Sequence, residues 1–286
     1  MQYIIEKSCN ILIIGKSFWK NIVLPSVLDG AAIVNLSEND IQKLQMIENG
    51  LHRKILGAFK GTAVESLRGE IGASDIMRTR IIKSRPMYIK YIVNGKKDIL
   101  RRIMEKSIED KNKWWKKSLK YIEETKVSLG EIMHKKKEEI DIKIKRWDTA
   151  KWRAEMEKKE RLSIYRMWKK EIKEEEVYDN RYSSVILFKA RTDTLPLNYK
   201  NRHSGGNIGC LLCGEEREDL EHFLLDCTEY SDSRCIVIEL QKPHEENRKE
   251  VIGKFLFEGK DIEKKKEVLQ KMWRIRQVKI KEINGL

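Results

Sequence analysis

Residues 210–227 read CLLCGEEREDLEHFLLDC, and this stretch carries the strongest chemical signal in the chain. Cys210, Cys213, His222 and Cys227 follow the spacing C-x2-C-x8-H-x4-C. A Cys-x-x-Cys turn brings two thiolates to one side of a tight loop, and Gly214 directly after it permits the positive φ that such a turn often needs. Residues 218–226 have the composition of a helix, which would bring His222 and Cys227 to the same ion.

Three thiolates and one imidazole are a common ligand set for Zn²⁺, which takes four ligands in a tetrahedron. Protein side chains then fill all four positions, whereas a catalytic zinc site leaves one position open for water or substrate. The spacing therefore predicts one structural Zn²⁺ ion in a small Cys3His zinc knuckle near the C-terminus.

Two other interpretations of these residues stay open. Cys210 and Cys213 could form a redox pair, although no βαβ pattern surrounds them, or the four side chains could be unrelated thiols and a surface histidine. His203 is a weaker alternative to His222, because its tether to Cys210 is rich in glycine. Two further cysteines are expected to be packed residues rather than ligands: Cys9 and Cys235. The remaining histidines are expected at the surface or in satisfied positions: His52, His134 and His244.

The composition of the 286 residues favours helices. Lys and Arg number 59 against 45 Asp and Glu, for a net charge of +14, and only 16 Gly and 4 Pro interrupt the chain. This predicts a mostly α fold, an extended helical array, and argues against a turn-rich β fold.

Five cysteines are too few for a disulfide scaffold. No apolar run approaches the roughly 18 residues of a membrane span, and no signal peptide is apparent, so we expect an intracellular protein of the nucleus or cytoplasm.

The patterns divide the chain into four expected segments. These are a helical segment over residues 1–60, a basic helical connector over 61–180, a zinc-binding module over 181–240 and a C-terminal helical segment over 241–286. The connector is assigned by its charge, since residues 96–160 hold 21 basic and 14 acidic side chains.

Local signals predict where individual helices begin and end. Ser and Thr residues followed three positions later by an acid are typical of helix N-termini, and these pairs are Ser37 with Asp40, Thr62 with Glu65 and Ser128 with Glu131. Ser74 with Asp75 is a further expected start. Gly57 should end the first of these helices, and Pro86 should break or kink the helical pattern over residues 76–93. Residues from 129 to about 176 are expected to form one long helix or two end to end. A short helix is expected over 185–190, and helix again from about residue 247.

The knuckle itself is acidic, which limits how it can meet a nucleic acid. Six acids and one base lie between residues 205 and 227, and zinc with three thiolates adds about one negative charge. A phosphate backbone would be repelled there, while the net charge of +14 favours an anionic partner. We therefore expect RNA or DNA contacts from basic residues that flank the knuckle: Lys189, Arg191, Lys200, Arg202 and Arg234.

Several segments resemble the C-terminal part of the reverse transcriptases of LINE-type non-LTR retrotransposons. The zinc ligands, with EHFLL at residues 221–225 between them, match that family's zinc-binding module position for position. The other similar segments are WKNIVLPSVL at 19–28, LQMIEN at 44–49, ILG at 55–57, LRGEIG at 67–72, ART at 190–192, LPLN at 195–198, RH at 202–203 and WRIR at 273–276.

The resemblance implies a thumb-like segment over residues 1–60, incomplete at its N-terminus, followed by the zinc module. It implies that the palm with its catalytic aspartates and the endonuclease lie upstream, so that the chain is not an enzyme, has no catalytic residue and takes no small-molecule substrate. We expect a nucleic-acid-binding remnant that binds RNA or DNA without polymerising it. The alternatives are a helical protein-interaction scaffold with a structural zinc, and a non-functional pseudogene product.

Overall fold

The computed structural model describes residues 11–73, 76–235 and 247–285. Within these ranges the regular elements are helices without any β-strand, and a single isolated bridge joins Ile71 and Glu174. The prediction of a mostly α fold is confirmed.

The α-helices are α1 (Ile11–Phe18), α2 (Leu24–Leu28), α3 (Glu38–Leu56), α4 (Val64–Ile71), α5 (Met77–Asn94), α6 (Asp98–Glu109), α7 (Lys113–Glu124), α8 (Leu129–His134), α9 (Lys137–Glu157), α10 (Ser163–Trp168), α11 (Tyr182–Arg191), α12 (Ser231–Arg234), α13 (Arg248–Phe257) and α14 (Ile262–Ile283). Shorter turns are of π type at Trp19–Val23 and His222–Asp226, and of 3-10 type at Glu160–Leu162, Asn198–His203 and Thr228–Tyr230.

The chain forms two compact units that alternate along the sequence. Of the described residues, the first unit contains 11–52, 68–73, 76–155 and 171–174, and the second contains 53–67, 156–170, 175–235 and 247–285. The four segments expected from composition are a different division of the chain and stay a prediction.

Three of the local helix signals are confirmed. The Asp40 amide donates to the Ser37 hydroxyl, and the Ser37 amide donates to the Asp40 carboxylate, each at 3.1 Å. Ser128 and Glu131 form the same reciprocal pair at the start of α8, with bonds of 2.9 and 3.1 Å. Helix α3 ends at Leu56, and Gly57 follows it with a φ of +60°.

The predicted start at Thr62 is wrong. Helix α4 begins at Val64, and the Thr62 hydroxyl is buried without a hydrogen-bond partner among the described residues. The other predicted start, at Ser74 and Asp75, lies outside the described residues.

The expected break at Pro86 is also wrong, because α5 runs through it from Met77 to Asn94. The alternative expectation, a kink at Pro86, stays a prediction. Proline removes one helical hydrogen bond and costs roughly 3 kcal/mol inside a helix. Pro86 and its helical neighbours Ile82 and Ile89 are buried, so tertiary packing on this face outweighs the local cost.

The long helix expected up to residue 176 is divided into shorter pieces. Helices α8, α9 and α10 follow one another, and α10 ends at Trp168. The short helix expected over 185–190 is present as α11, and the helical C-terminal region is present as α13 and α14.

The first unit has an apolar core with a buried ion pair. Side chains of α5 to α9 form this core, including Ile89, Trp115 and Ile144. Arg68 and Asp148 pair at 2.5 Å, and the Thr79 hydroxyl donates to the same carboxylate at 2.7 Å. The carboxylate is thus paired and hydrogen-bonded, as a buried charge requires.

The second unit has aromatic packing within its core, including rings from the segment that carries the predicted ligands. Phe257 of α13 packs edge-on against Tyr165 of α10, with ring centroids 5.7 Å apart. Phe223 packs edge-on against Tyr230 at 5.1 Å and against Trp273 of α14 at 6.2 Å. The segment that carries the predicted ligands is therefore fastened to α14 through buried rings.

Candidate metal centre

A tight turn presents the first two cysteines of the site. The Cys210 amide donates to the Glu215 carbonyl at 2.8 Å, and the Gly214 amide donates to the Cys210 carbonyl at 3.0 Å. Gly214 has a φ of +81°, a conformation that costs glycine little and other residues more. The glycine expected from sequence therefore closes this turn.

A π-helical turn presents the other two ligands. It covers His222–Asp226, and the Cys227 amide donates to the His222 carbonyl at 3.0 Å. Such a bond between residues five apart widens the turn, and π-turns are frequent at functional sites. The His222 amide donates to the Asp219 carboxylate at 2.9 Å, which fixes the start of the turn.

The four predicted ligands come together in one cluster. One ligand atom from each of Cys210, Cys213, His222 and Cys227 lies within 4.8 Å of all the others. Cys210 Sγ and Cys227 Sγ are 3.8 Å apart, and Cys213 Sγ is 3.4 Å from His222 Nε2. Cys213 is half-buried and the other three are buried. The cluster is of a size that one metal ion can bridge.

Neither His203 nor Cys235, the other possible ligands in this part of the sequence, joins this cluster. His203 and Cys235 are both exposed and are absent from the group of convergent donors among the described residues. Cys235 was expected to be packed, and that prediction is wrong. Cys9 lies outside the described residues.

The environment of Cys210 and Cys227 opposes the ionisation of their thiols in the absence of a cation. Burial raises the pKa of Cys227, and the nearby thiols of Cys210 and Cys213 raise it further. Burial is also the largest cause of the raised pKa of Cys210, although backbone amides of Leu212 and Cys213 act in the opposite direction. A metal ion supplies the positive charge that such closely spaced thiolates require.

A buried ion pair beside the cluster was missed by sequence reasoning. Glu218 is only 1% exposed, and its two carboxylate oxygens accept from Arg276 Nε at 2.7 Å and Arg276 Nη2 at 2.6 Å. The same carboxylate accepts a hydrogen bond from the backbone amide of Asn198 at 2.8 Å. Glu218 is one of the six acids of the knuckle, and no local signal identifies a partner 58 positions away.

Other acids of the knuckle are also paired. Arg248 of α13 forms ion pairs with Glu221 and Asp226, and Arg217 pairs with Asp219 at 2.6 Å. Of the six acids, Glu215 and Glu216 are exposed and form no ion pair with the residues that the structure describes. The knuckle is consequently less acidic at its surface than its sequence indicates.

Arg191, an expected nucleic-acid contact, is a structural residue instead. Its side chain is fully buried, and Nε donates to the Leu256 carbonyl at 2.8 Å. Its guanidinium lies over the Phe257 ring at 4.8 Å and pairs with Glu175 at 3.3 Å. The side chain is committed to the core of the second unit, so the expectation of a phosphate contact is corrected.

The other four expected contacts lie at or near the surface. Arg202 is exposed and lies over the Tyr199 ring at 4.7 Å, while Lys200 is half-buried and pairs with Asp193 at 2.6 Å. Lys189 and Arg234 are half-buried, and burial lowers the pKa of each. Arg202 is therefore the most accessible cation of the predicted set.

Comparison with protein-family models, curated proteins and solved structures found no match to this chain. None of the helices in the described ranges combines the length and the apolar character that crossing a membrane requires.

Proposed function

We propose that Cys210, Cys213, His222 and Cys227 bind one Zn²⁺ ion as a structural centre. With Zn–S bonds of about 2.3 Å and Zn–N bonds of about 2.0–2.1 Å, a regular tetrahedron has sulfur–sulfur edges of about 3.8 Å and sulfur–nitrogen edges of about 3.6 Å. Of the six separations in the cluster, Cys210 Sγ–Cys227 Sγ is 3.8 Å and Cys213 Sγ–His222 Nε2 is 3.4 Å, and all six lie within 4.8 Å. Three thiolates also favour zinc over Mg²⁺ or Ca²⁺, which take oxygen ligands.

The bound zinc would act through folding, because all four donors come from the protein. It would hold the 210–215 turn against the π-turn at His222–Asp226 and so position the flanking residues. Elemental analysis of the purified chain should give about one zinc per molecule, and a chelator should reduce the helical signal in circular dichroism. A chain without zinc that keeps its full helical signal would contradict the proposal.

We infer that the chain binds nucleic acid, in the manner expected for the C-terminal region of a LINE-type reverse transcriptase. The observation that carries this proposal is the convergence of all four ligands of the family's most specific motif within 4.8 Å. The net charge of +14 supports it, because phosphate backbones attract such a chain and release counterions on binding. Lys189, Lys200, Arg202 and Arg234 stay proposed contacts, and Arg191 is withdrawn.

We propose binding without synthesis, since the 286 residues contain no adjacent pair of aspartates that resembles a polymerase metal site. A primer-extension assay with the purified chain, a primed RNA template and deoxynucleotides should give no extended product. Extension above the level of a no-enzyme control would overturn this part of the proposal.

Fluorescence anisotropy tests the binding directly. Zinc-loaded chain is titrated into labelled 20-nucleotide RNA and DNA, single-stranded and duplex, at 50, 100 and 200 mM salt. The logarithm of the association constant should fall linearly with the logarithm of the salt concentration. No binding of any of the four ligands at 50 mM salt would refute a nucleic-acid-binding function.

A protein-interaction scaffold is the second candidate, and one observation favours it. On α6, Ile99 is 69% exposed and Ile103 is 58% exposed, one helical turn apart. Adjacent exposed apolar side chains are typical of protein-binding surfaces. If nucleic-acid binding is absent while the zinc centre is intact, this candidate becomes the leading one.

A further inference from the structure

Helix α7 of the first unit has four lysines on one face. Lys113, Lys116, Lys117 and Lys120 are spaced three and four residues apart, which places them together along the helix. The first, second and fourth are exposed, and Lys117 is half-buried. The opposite face, with Trp115, Ser118 and Ile122, is buried. The helix therefore presents a continuous basic stripe to solvent, here named the α7 stripe.

The exposed lysines of the stripe differ from several lysines on neighbouring helices that are paired with acids. Lys106 pairs with Asp110 at 3.1 Å, Lys143 with Glu131 at 2.6 Å, and Lys145 with Asp141 at 3.0 Å. The three exposed lysines of the stripe form no ion pair with any of the residues that the structure describes. Lys120 lies near the Glu38 carboxylate, but that carboxylate already pairs with Arg78, and Lys113 and Lys116 are available to an external anion.

Stabilisation of α7 does not account for the stripe. The lysines occupy the N-terminal two turns, the first turn contains no acid, and Glu123 and Glu124 stand at the C-terminal end. The positive end of the helix dipole lies at the N-terminus, so this order of charges is unfavourable at both ends. An anion bound to the lysines would place negative charge at the positive end of the helix dipole, which is a favourable interaction.

Aromatic rings adjoin the N-terminal end of the stripe. Tyr91 of α5 is 51% exposed and stacks on Tyr88 with centroids 6.2 Å apart. Tyr88 meets Trp114 edge-on at 6.5 Å, and Trp114 directly follows the first lysine of the stripe. Trp114 is fixed in place, since its Nε1 donates to the Ala32 carbonyl at 3.0 Å and the Arg85 guanidinium lies 5.1 Å from its ring. Tyr91 is thus connected to the N-terminal end of the stripe through the rings of Tyr88 and Trp114.

We infer that the α7 stripe and Tyr91 form a binding surface for single-stranded nucleic acid. The lysines contact consecutive phosphates, and an unpaired base stacks on the Tyr91 ring, the combination used by proteins that bind single strands without sequence preference. Duplex bases are already stacked and offer no free face to Tyr91. This inference rests on the proposed nucleic-acid-binding function and identifies a surface in the first unit that carries it.

Matched charge variants test the stripe. K113Q/K116Q/K120Q removes three unpaired charges, and K106Q/K135Q/K145Q removes three exposed charges that are paired with acids. Affinity for a 20-nucleotide single strand, RNA or DNA, is measured by anisotropy at three salt concentrations. Each phosphate contact on a single strand contributes about 0.7 to the salt slope, so the first variant should lower the slope by about 2 and the second by less than 1.

Two substitutions at Tyr91 test the stacking. Tyr91→Ala should weaken single-strand binding roughly 5- to 150-fold, whereas Tyr91→Phe, which keeps the ring, should stay within about twofold of the parent chain. Circular dichroism and zinc content confirm that each variant is folded.

The outcomes separate this inference from the proposed function. If the parent chain binds single strands but both charge variants behave alike and Tyr91→Ala has no effect, the inference is wrong and the general function stands. If the parent chain binds duplex more tightly than single strands, the assignment of the ligand is wrong. If the parent chain binds no nucleic acid at 50 mM salt, the inference and the proposed function both fail.

Discussion

Glu218 and Arg276 form a bidentate ion pair that is almost completely buried, with N–O distances of 2.7 and 2.6 Å. Glu218 lies between Cys213 and His222 of the Cys3His cluster, and Arg276 lies in α14. The pair joins the knuckle to the C-terminal helix α14. The backbone amide of Asn198 donates a third hydrogen bond to the carboxylate. The metal centre is thus supported from outside its own sequence motif.

Loss of Arg276 should destabilise the second unit strongly. Arg276→Met leaves a buried carboxylate without its partner, and breaking one side of a buried ion pair costs about 3–5 kcal/mol. Urea unfolding followed by tryptophan fluorescence measures the change. Arg274→Met in the same helix is the control, since Arg274 is exposed and should change stability by less than about 0.5 kcal/mol. Equal effects of the two substitutions would show that the buried pair does not support the knuckle.

Loss of one zinc ligand should unfold the second unit selectively. Cys213→Ser removes a thiolate from a site whose zinc can contribute on the order of 10 kcal/mol. Hydrogen exchange should then become fast in the described residues of the second unit, which are 53–67, 156–170, 175–235 and 247–285, while residues 76–155 of the first unit should keep most of their protection. Cys235→Ser is the matched control because Cys235 is exposed and outside the cluster. Simultaneous loss of protection in both units would contradict the selective effect.

His52 should make the chain sensitive to mild acid. It is buried in the first unit with Nδ1 unpartnered, and burial lowers its pKa to about 4. Glu48 raises this pKa partly, whereas Arg80, Lys16 and Arg68 lower it. Because the pKa in the unfolded chain is about 6.5, the unfolded state takes up the proton first as the pH falls. The stability due to neutral His52 is present above pH 6.5 and is lost between pH 6.5 and 4.

Between pH 6.5 and 4 the free energy of unfolding should fall by about 3 kcal/mol, as the difference between the pKa values of His52 in the folded and unfolded chains requires. His52→Phe keeps a ring at this position and removes the titration. The free energies of unfolding of the two chains are compared between pH 7 and 4.5. The difference between them should shift in favour of the variant as the pH falls, and a constant difference would show that His52 is not the titrating group.

The same substitution at two helical glycines should have opposite effects. A Cβ at Gly253 in α13 would lie 1.7 Å from Nε1 of Trp168, whereas a Cβ at Gly50 in α3 would meet nothing within 4 Å. Gly253→Ala should therefore cost at least about 1–3 kcal/mol through overpacking. Gly50→Ala should add about 0.5–1 kcal/mol of stability, because it reduces the freedom of the unfolded chain. Thermal unfolding measures both, and a stabilised Gly253→Ala would contradict the close packing of α13 on α10.

Features of the chain that depend on a few neighbouring residues were predictable. The ligands at positions 210, 213, 222 and 227 are such a case, because a metal cluster requires particular residue types at short spacing. The reciprocal bonds of Ser37 with Asp40 and the end of α3 at Gly57 are likewise made within four residues. At Thr62 a similar pattern failed, since the hydroxyl lies two positions before the first residue of α4.

The sequence alone determined the helical class, the net charge and the four-ligand motif, because composition and short spacings carry this information. Tertiary structure alone decided that α5 continues through Pro86, that Arg191 is buried under Phe257, and that Glu218 pairs with Arg276. The physical reason is the same in all three cases. Burial changes the free energy of the Arg191 and Glu218 side chains by several kcal/mol, and α5 packs through Ile89 on core residues of α7 to α9. In each case the compensating partners lie far along the chain, where local patterns contain no trace of them.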